Sequence, residues 1–271
     1  MASRHPKGFS VTSDMFNYSF KPGLEEKLSL FREYGFEYLH WCDNWNDDVA
    51  YTRDEMRHYA GLIKDAGLTC LDVHGTATQT ARIDSADDQA HRRYVKLLRN
   101  RVEFCAAVGG DSVVVHPPHY HEPELEARLN RVSEALHQVK KLCAENGVKL
   151  ALENCYRDDH VVLQRLLDEY PPELLGFCYD SGHANIHRNL PQLKGFRDRL
   201  VVTHLHDNRG DADSHQPPGW GTVDWAGVSE WLSGYGKPLN LEVTHSPEHY
   251  AGPMRGFMEA AVESLALLTG T

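Results

Sequence analysis

The 271-residue chain has no Cys-x-x-Cys pair, no apolar stretch approaching about 18 residues and no G-x-G-x-x-G run. Without the first there is no thiolate zinc knuckle and no sign of a disulfide framework, so Cys42, Cys70, Cys105, Cys143, Cys155 and Cys178 read as reduced packing residues. Without the second there is no transmembrane helix, and without the third an open dinucleotide-binding sheet loses its phosphate-cradling signature. Positive charge is also scarce: 28 Lys plus Arg face 39 Asp plus Glu, a formal net charge of −11. Such a field repels nucleic acid and anionic membranes and favours a small, neutral or metal-chelated partner. The opening MASRHPKGFSV has no apolar leader core, so a soluble cytoplasmic protein is expected, with a homo-oligomer left open.

What is present is repetition. Six short apolar runs between residues 68 and 244 each end in a His, Asp or Glu: LTCLDVH (His74), DSVVVH (His116), VKLALEN (Glu153), LLGFCYD (Asp180), LVVTHLHD (His204) and PLNLEV (Glu242). Apolar runs of this length bounded by turn residues are strands buried on both faces. Placing that many ionisable groups at their ends is costly unless the groups share a task. Strands are expected near 8–12, 36–41, 68–74, 111–116, 148–153, 174–180, 200–206 and 238–244, and helices near 23–34, 53–66, 87–108, 123–146, 159–169, 189–198, 224–234 and 253–268. Eight alternating β/α units predict one (β/α)8 TIM barrel spanning 1–271, with its site at the carboxyl ends of the strands. Strand alternation sends Asp72 and Cys70 inward with His74, Val114 with His116, Ala151 with Glu153, and both His204 and His206 on the seventh strand.

Two further groups occur at short spacing: Asp180 with His183 in DSGHA, and Asp213 with His215 in DADSH. Mixed imidazole and carboxylate donors suit Zn²⁺, Mn²⁺, Co²⁺ or Fe²⁺ better than Mg²⁺ or Ca²⁺. His206, His119, His121 and Arg209 are candidates for substrate contact, and Trp41, Trp45 and Trp220 for a sugar-stacking wall. Gly182, Gly219 and Gly221 read as tight-turn residues.

Taken in order, VVVHPPH, LALENC, CYDSGHA, THLHDN, D-x-H-x-x-P-G-x-G and LEV make the chain resemble the xylose-isomerase-like barrel superfamily. That group holds sugar and sugar-phosphate isomerases and epimerases together with endonuclease IV-type enzymes. The resemblance implies one metal on Glu153, Asp180, His204 and Glu242, as in the sugar epimerases. It also implies up to three ions if His74, His116, His183, Asp213 and His215 serve as they do in the endonuclease branch. Under the epimerase pattern Glu153 and Glu242 form an acid/base pair acting through a metal-stabilised enediolate, and His183 contacts substrate. The expected activity is therefore a metal-dependent isomerase or epimerase of a small carbohydrate. The alternative is a di- or trinuclear hydrolase or lyase on a phosphoester or glycoside-like small molecule. Segments 75–86 (GTATQTARIDSA) and 209–221 (RGDADSHQPPGWG) lack the basic, intercalating character that an abasic-DNA enzyme needs.

Overall fold

A computed structural model describes residues 8–269. Its strands are β1 (Phe9–Thr12), β2 (Tyr38–Trp41), β3 (Thr69–His74), β4 (Ser112–Val115), β5 (Lys149–Glu153), β6 (Leu175–Asp180), β7 (Leu200–His204) and β8 (Leu239–Leu241). All pair in parallel in the order β7-β6-β5-β4-β3-β2-β1-β8. The ring closes where Leu205 pairs with Leu241, its N–H donating to Asn240 O at 2.9 Å while Glu242 N–H donates to Leu205 O at 3.0 Å. The architecture is a TIM barrel.

Around it lie α1 (Leu24–Glu33), α2 (Arg53–Asp65), α3 (Asp88–Val108), α4 (Leu125–Asn146), α5 (His160–Glu169), α6 (Ser181–His187), α7 (Leu190–Leu193), a 3₁₀ segment (Lys194–Arg199), α8 (Trp225–Leu232), α9 (Met254–Ser264) and α10 (Ala266–Thr269). Alternation divides the core in two. Val114, Ala151, Cys178 and Val202 form a small apolar plug inside the lumen, two residues below His116, Glu153, Asp180 and His204. The opposite faces, among them Val113, Leu150, Phe177 and Tyr179, pack on the helices in the large outer core. Burying both faces is what allows these strands to be continuously apolar.

Several elements differ from the expected bounds, β8 among them, which ends at Leu241 and not at 244, and three of the differences have a local cause. The seventh strand stops at His204, two residues early, because Leu205 turns to close the barrel and Asp207 pairs antiparallel with Gln216. The expected 189–198 helix begins with Pro191 in its first turn and tightens after Leu193 into the 3₁₀ segment. Helix α6 lies outside the expected helices, because seven residues of mixed polarity carry no apolar periodicity. It is nucleated by Asp180, whose Oδ1 accepts the His183 N–H at 2.7 Å as an N-cap.

Candidate metal and active site

Glu153 stands at the carboxyl end of β5 and is buried. Its Oε2 lies 3.1 Å from His116 Nε2 and 3.6 Å from His74 Nε2. Its Oε1 lies 3.0 Å from His204 Nδ1 and 3.6 Å from His183 Nδ1. From β8, Glu242 Oε2 reaches the same His204 Nδ1 at 3.1 Å. Ring orientation is set by backbone acceptors: His74 Nδ1–H donates to Gly75 O at 2.7 Å and His215 Nδ1–H to Glu242 O at 2.9 Å.

A second cluster forms where α6 meets the long loop after β7. Asp213 Oδ2 is 3.3 Å from His183 Nε2 and 3.2 Å from His215 Nε2. Asp180 Oδ2 is 3.0 Å from His206 Nε2, and the His206 and His215 rings stack at 3.9 Å. Asp180 thus faces His206 and His183, on the second cluster, while Glu153, His204 and Glu242 make the first. Asp207 holds this loop in place. Its buried carboxylate accepts from Gly219 N–H (2.8 Å), Val223 N–H (3.0 Å) and Trp225 Nε1–H (2.8 Å), which turns the chain so that Asp213 and His215 come back over the barrel mouth.

At Glu153, Glu242, His204 and His215 burial opposes charge, and the pairing outweighs it. Burial pushes Glu153 upward, but the His204 charge and the close imidazoles of His116, His204 and His74 hold its carboxyl well below the usual carboxylate range. Glu242 is likewise lowered, against burial, by His204, His215 and His40. His204 is raised well above the usual imidazole value against burial, with Cys178, Glu242 and Glu153 as its neighbours. His215 is pushed up to about 10, Asp213 outweighing burial.

His74, His116 and Glu153 offer donor atoms within 4.8 Å of one another, as do His74, His204 and Glu242, and Glu153, Cys155 and His183. Glu153 Oε2 and His204 Nε2 are buried without a hydrogen-bond partner among the described residues. Glu153 Oε2, facing His116 and His74, is an orphaned acceptor that an ion there would satisfy, and the nitrogen–oxygen mixture fits a borderline transition metal.

The structure brings all nine ligand candidates and His206 to one mouth. His74, His116, Glu153, His183, Asp213, His215 and Glu242 line a cavity of about 290 Å³ together with Asp14, Tyr18, Cys42, Trp45 and Thr244. Other candidates lie elsewhere. Trp41 follows an inward His40, so alternation turns it outward, where it packs on Tyr59 and Phe104 and donates to Tyr51 Oη at 3.0 Å. Trp220 packs on Tyr250 and Phe257. Arg209 is exposed, and His119 sits against Tyr156 on the rim, beside a His121–Asp158 pair at 2.9 Å. Gly182 belongs to helix α6 and not to a turn; a Cβ there would fall 2.0 Å from His206 Cε1, so its role is close approach.

Asp14 and His40 escaped the sequence reading. Asp14 follows β1 with no strand-end motif beyond FSVTSD; it accepts from Thr12 Oγ1 at 2.5 Å, and burial raises its pKa. His40 lies within β2, not at its end, and only a strand-end scan relaxed to interior positions would have found it.

A family model described as xylose isomerase-like TIM barrel matches residues 28–266. Over 251 residues the chain is 28% identical to uncharacterized protein y4fM of Sinorhizobium fredii, covering 81% of each. Over 163 residues it is 27% identical to a probable endonuclease 4 of Methanoculleus marisnigri, covering 51% of this chain and 58% of that one. Among solved structures, a D-tagatose 3-epimerase-like protein superposes with TM-score 0.75 at 19% identity, over 97% of this chain and 98% of the other. The 3-keto-D-glucoside 4-epimerase of E. coli gives 0.73 at 20%, over 97% and 99%. The IolI protein with a bound zinc gives 0.76 at 16%, over 97% and 98%. At these identities the structural likeness is one of fold.

Proposed function

The chain belongs to the xylose isomerase-like TIM-barrel family, and from that membership we propose that it is a divalent-metal-dependent isomerase or epimerase of a small sugar or keto-sugar. One observation carries the reading: Glu153 and Glu242, from β5 and β8, approach one His204 nitrogen at 3.0 and 3.1 Å beneath a cavity of about 290 Å³. That space suits a single small polar ligand, and Tyr18 and Trp45 supply an aromatic wall of the kind sugars stack on. Of the four expected ligands, Glu153, His204 and Glu242 would hold the principal ion, while Asp180, turned toward His206 and His183, would join His74, His116, His183, Asp213 and His215 as able to hold others. A bound divalent cation supplies positive charge that polarises a carbonyl and acidifies the neighbouring C–H. One glutamate then takes the carbon-bound proton and the other delivers one from its own side. Both are kept ionised by the imidazoles around them, so either can act as the base, and the one that delivers must first take up a proton from solvent in the mouth. Asp14, which lines the same cavity, is placed to bond a substrate hydroxyl.

A second reading, multinuclear hydrolysis or lyase chemistry on a small phosphoester or glycoside, draws on the separate His183–Asp213–His215 cluster and on the relatives named as probable endonuclease 4. The two are separated by isotopes. Chelator treatment should abolish turnover. With Mn²⁺ or Co²⁺ restored, incubation with D-tagatose, D-psicose or a 3-keto-glucoside in deuterated water should place deuterium beside the carbonyl. Glu153→Gln or Glu242→Gln should slow that exchange by about 10² or more. Oxygen-18 from solvent entering a product with all carbon-bound protons kept, or metal-dependent incision of an abasic duplex, would install the hydrolytic reading instead.

A further inference from the structure

Beneath the candidate ligands lies an arrangement that the acid/base scheme does not use. The β2–β3 register runs Leu39 opposite Cys70 and then His40 opposite Asp72, skipping Leu71. Such a bulge re-aims side chains, and here it places His40 and Asp72 side by side on the lumen face. His40 is fully buried. Its Nδ1 is hydrogen-bonded to the Asp72 carboxylate, which fixes the ring plane. Its Nε2 then points at Glu242 Oε1, 3.6 Å away, and has no hydrogen-bond partner among the described residues. The other Glu242 oxygen meets His204 from β7, whose ring lies 4.7 Å from that of His40. Glu242 therefore sits between two buried imidazoles, one from β2 and one from β7, above the small apolar plug of the lumen.

We infer that His40, seated by Asp72, is the positioning residue for Glu242, fixing the carboxylate in the orientation that metal and substrate require. The inference rests on the metal reading above. Glu242 lies one residue past a three-residue strand, at the point where the barrel closes through the Leu205–Leu241 bridge, so little regular backbone holds its carboxylate. The 3.6 Å between His40 Nε2 and Glu242 Oε1 closes to a hydrogen bond with a small turn of the carboxylate, and outer partners of this kind govern the geometry of a ligating carboxylate.

The test uses the full chain, with Zn²⁺ affinity read by competition against a chromophoric chelator and site geometry read from the visible spectrum of the Co²⁺ form. His40→Asn can still bond Asp72 but cannot reach Glu242, whereas His40→Gln can extend an amide to it. Zn²⁺ affinity should fall about 10- to 100-fold in His40→Asn and in Asp72→Asn, with an altered Co²⁺ spectrum, and return to within a few-fold of wild type in His40→Gln. Circular dichroism of the stripped proteins checks the fold; should His40→Asn not fold, Asp72→Asn carries the test. Wild-type affinity and spectrum in the folded asparagine variants, or equal losses in Asn and Gln, would overturn the positioning role. A wild type that binds neither ion overturns the metal reading itself, and this inference with it.

Discussion

Glu153 has an imidazole on every side: His116 and His74 at one oxygen, His204 and His183 at the other. Such crowding leaves no slack, so a single added methyl nearby is felt. Gly182→Ala would place a Cβ 2.0 Å from the His206 ring, which in turn contacts Asp180 at 3.0 Å. The ring cannot retreat, being stacked on His215. We expect a loss of about 1–3 kcal/mol of stability, as for other overpacked cores, and weaker metal retention; urea melts and metal analysis of the same sample measure both. A variant with unchanged stability and metal content would mean that the α6 start yields easily. His74, His116, Glu153, Asp180, His204 and Glu242 were legible because each ends an apolar run. His40 was not, since it lies mid-strand in YLHW and its contact with Asp72 depends on a bulge that no one-dimensional pattern records.

At the scale of elements, the loop after β7 carries half of the second cluster, and Asp207 holds its shape. Removing that buried acceptor leaves the Gly219 and Val223 N–H groups and the Trp225 indole without their partner, each at about 1–3 kcal/mol. Asp207→Ala should therefore loosen residues 208–223, opening them to protease, and withdraw Asp213 and His215 while the His74–His116–Glu153 group stays in place. Fragment mapping after limited proteolysis reads the first effect and metal stoichiometry the second. An uncut loop would show that its other contacts suffice. The sequence marks this loop as long and rich in Gly and Pro, but the role of Asp207 is invisible there, because its partners lie 12 to 18 residues away.

For the whole molecule, the clustered histidines make stability depend on pH and on metal. His215 titrates at about 10 in the folded chain against about 6.5 when unfolded, and His204 and His183 are raised in the same direction. Between those values the folded state holds protons that the unfolded state has released, so their stabilising effect is complete below about 6.5 and fades as pH rises toward 10. Chelator-stripped protein should thus melt at progressively lower temperature from pH 6.5 to 10. A bound cation replaces those protons, so metal affinity should climb over the same interval and the metal-loaded form should lose the decline. Calorimetric melts of both forms across that range decide it. A stripped protein whose melting temperature is flat over the interval would show that the histidines are not held protonated.

Local chemistry determined a parallel sheet wrapped in helices, the way apolar runs too short for helices and separated by amphipathic stretches bury both faces; eight such units without a dinucleotide fingerprint pointed to the barrel, in which their terminal His, Asp and Glu share one mouth. Only the tertiary structure decided the rest. It drew Asp180 toward His206 and His183 and turned Trp41 and Trp220 into packing. It also set Asp14 on the cavity wall and slid β3 by one residue so that His40 and Asp72 meet under Glu242. Periodicity fixes which face a residue occupies, whereas register and loop path fix which neighbour it meets, and those are set by contacts between residues far apart in the chain.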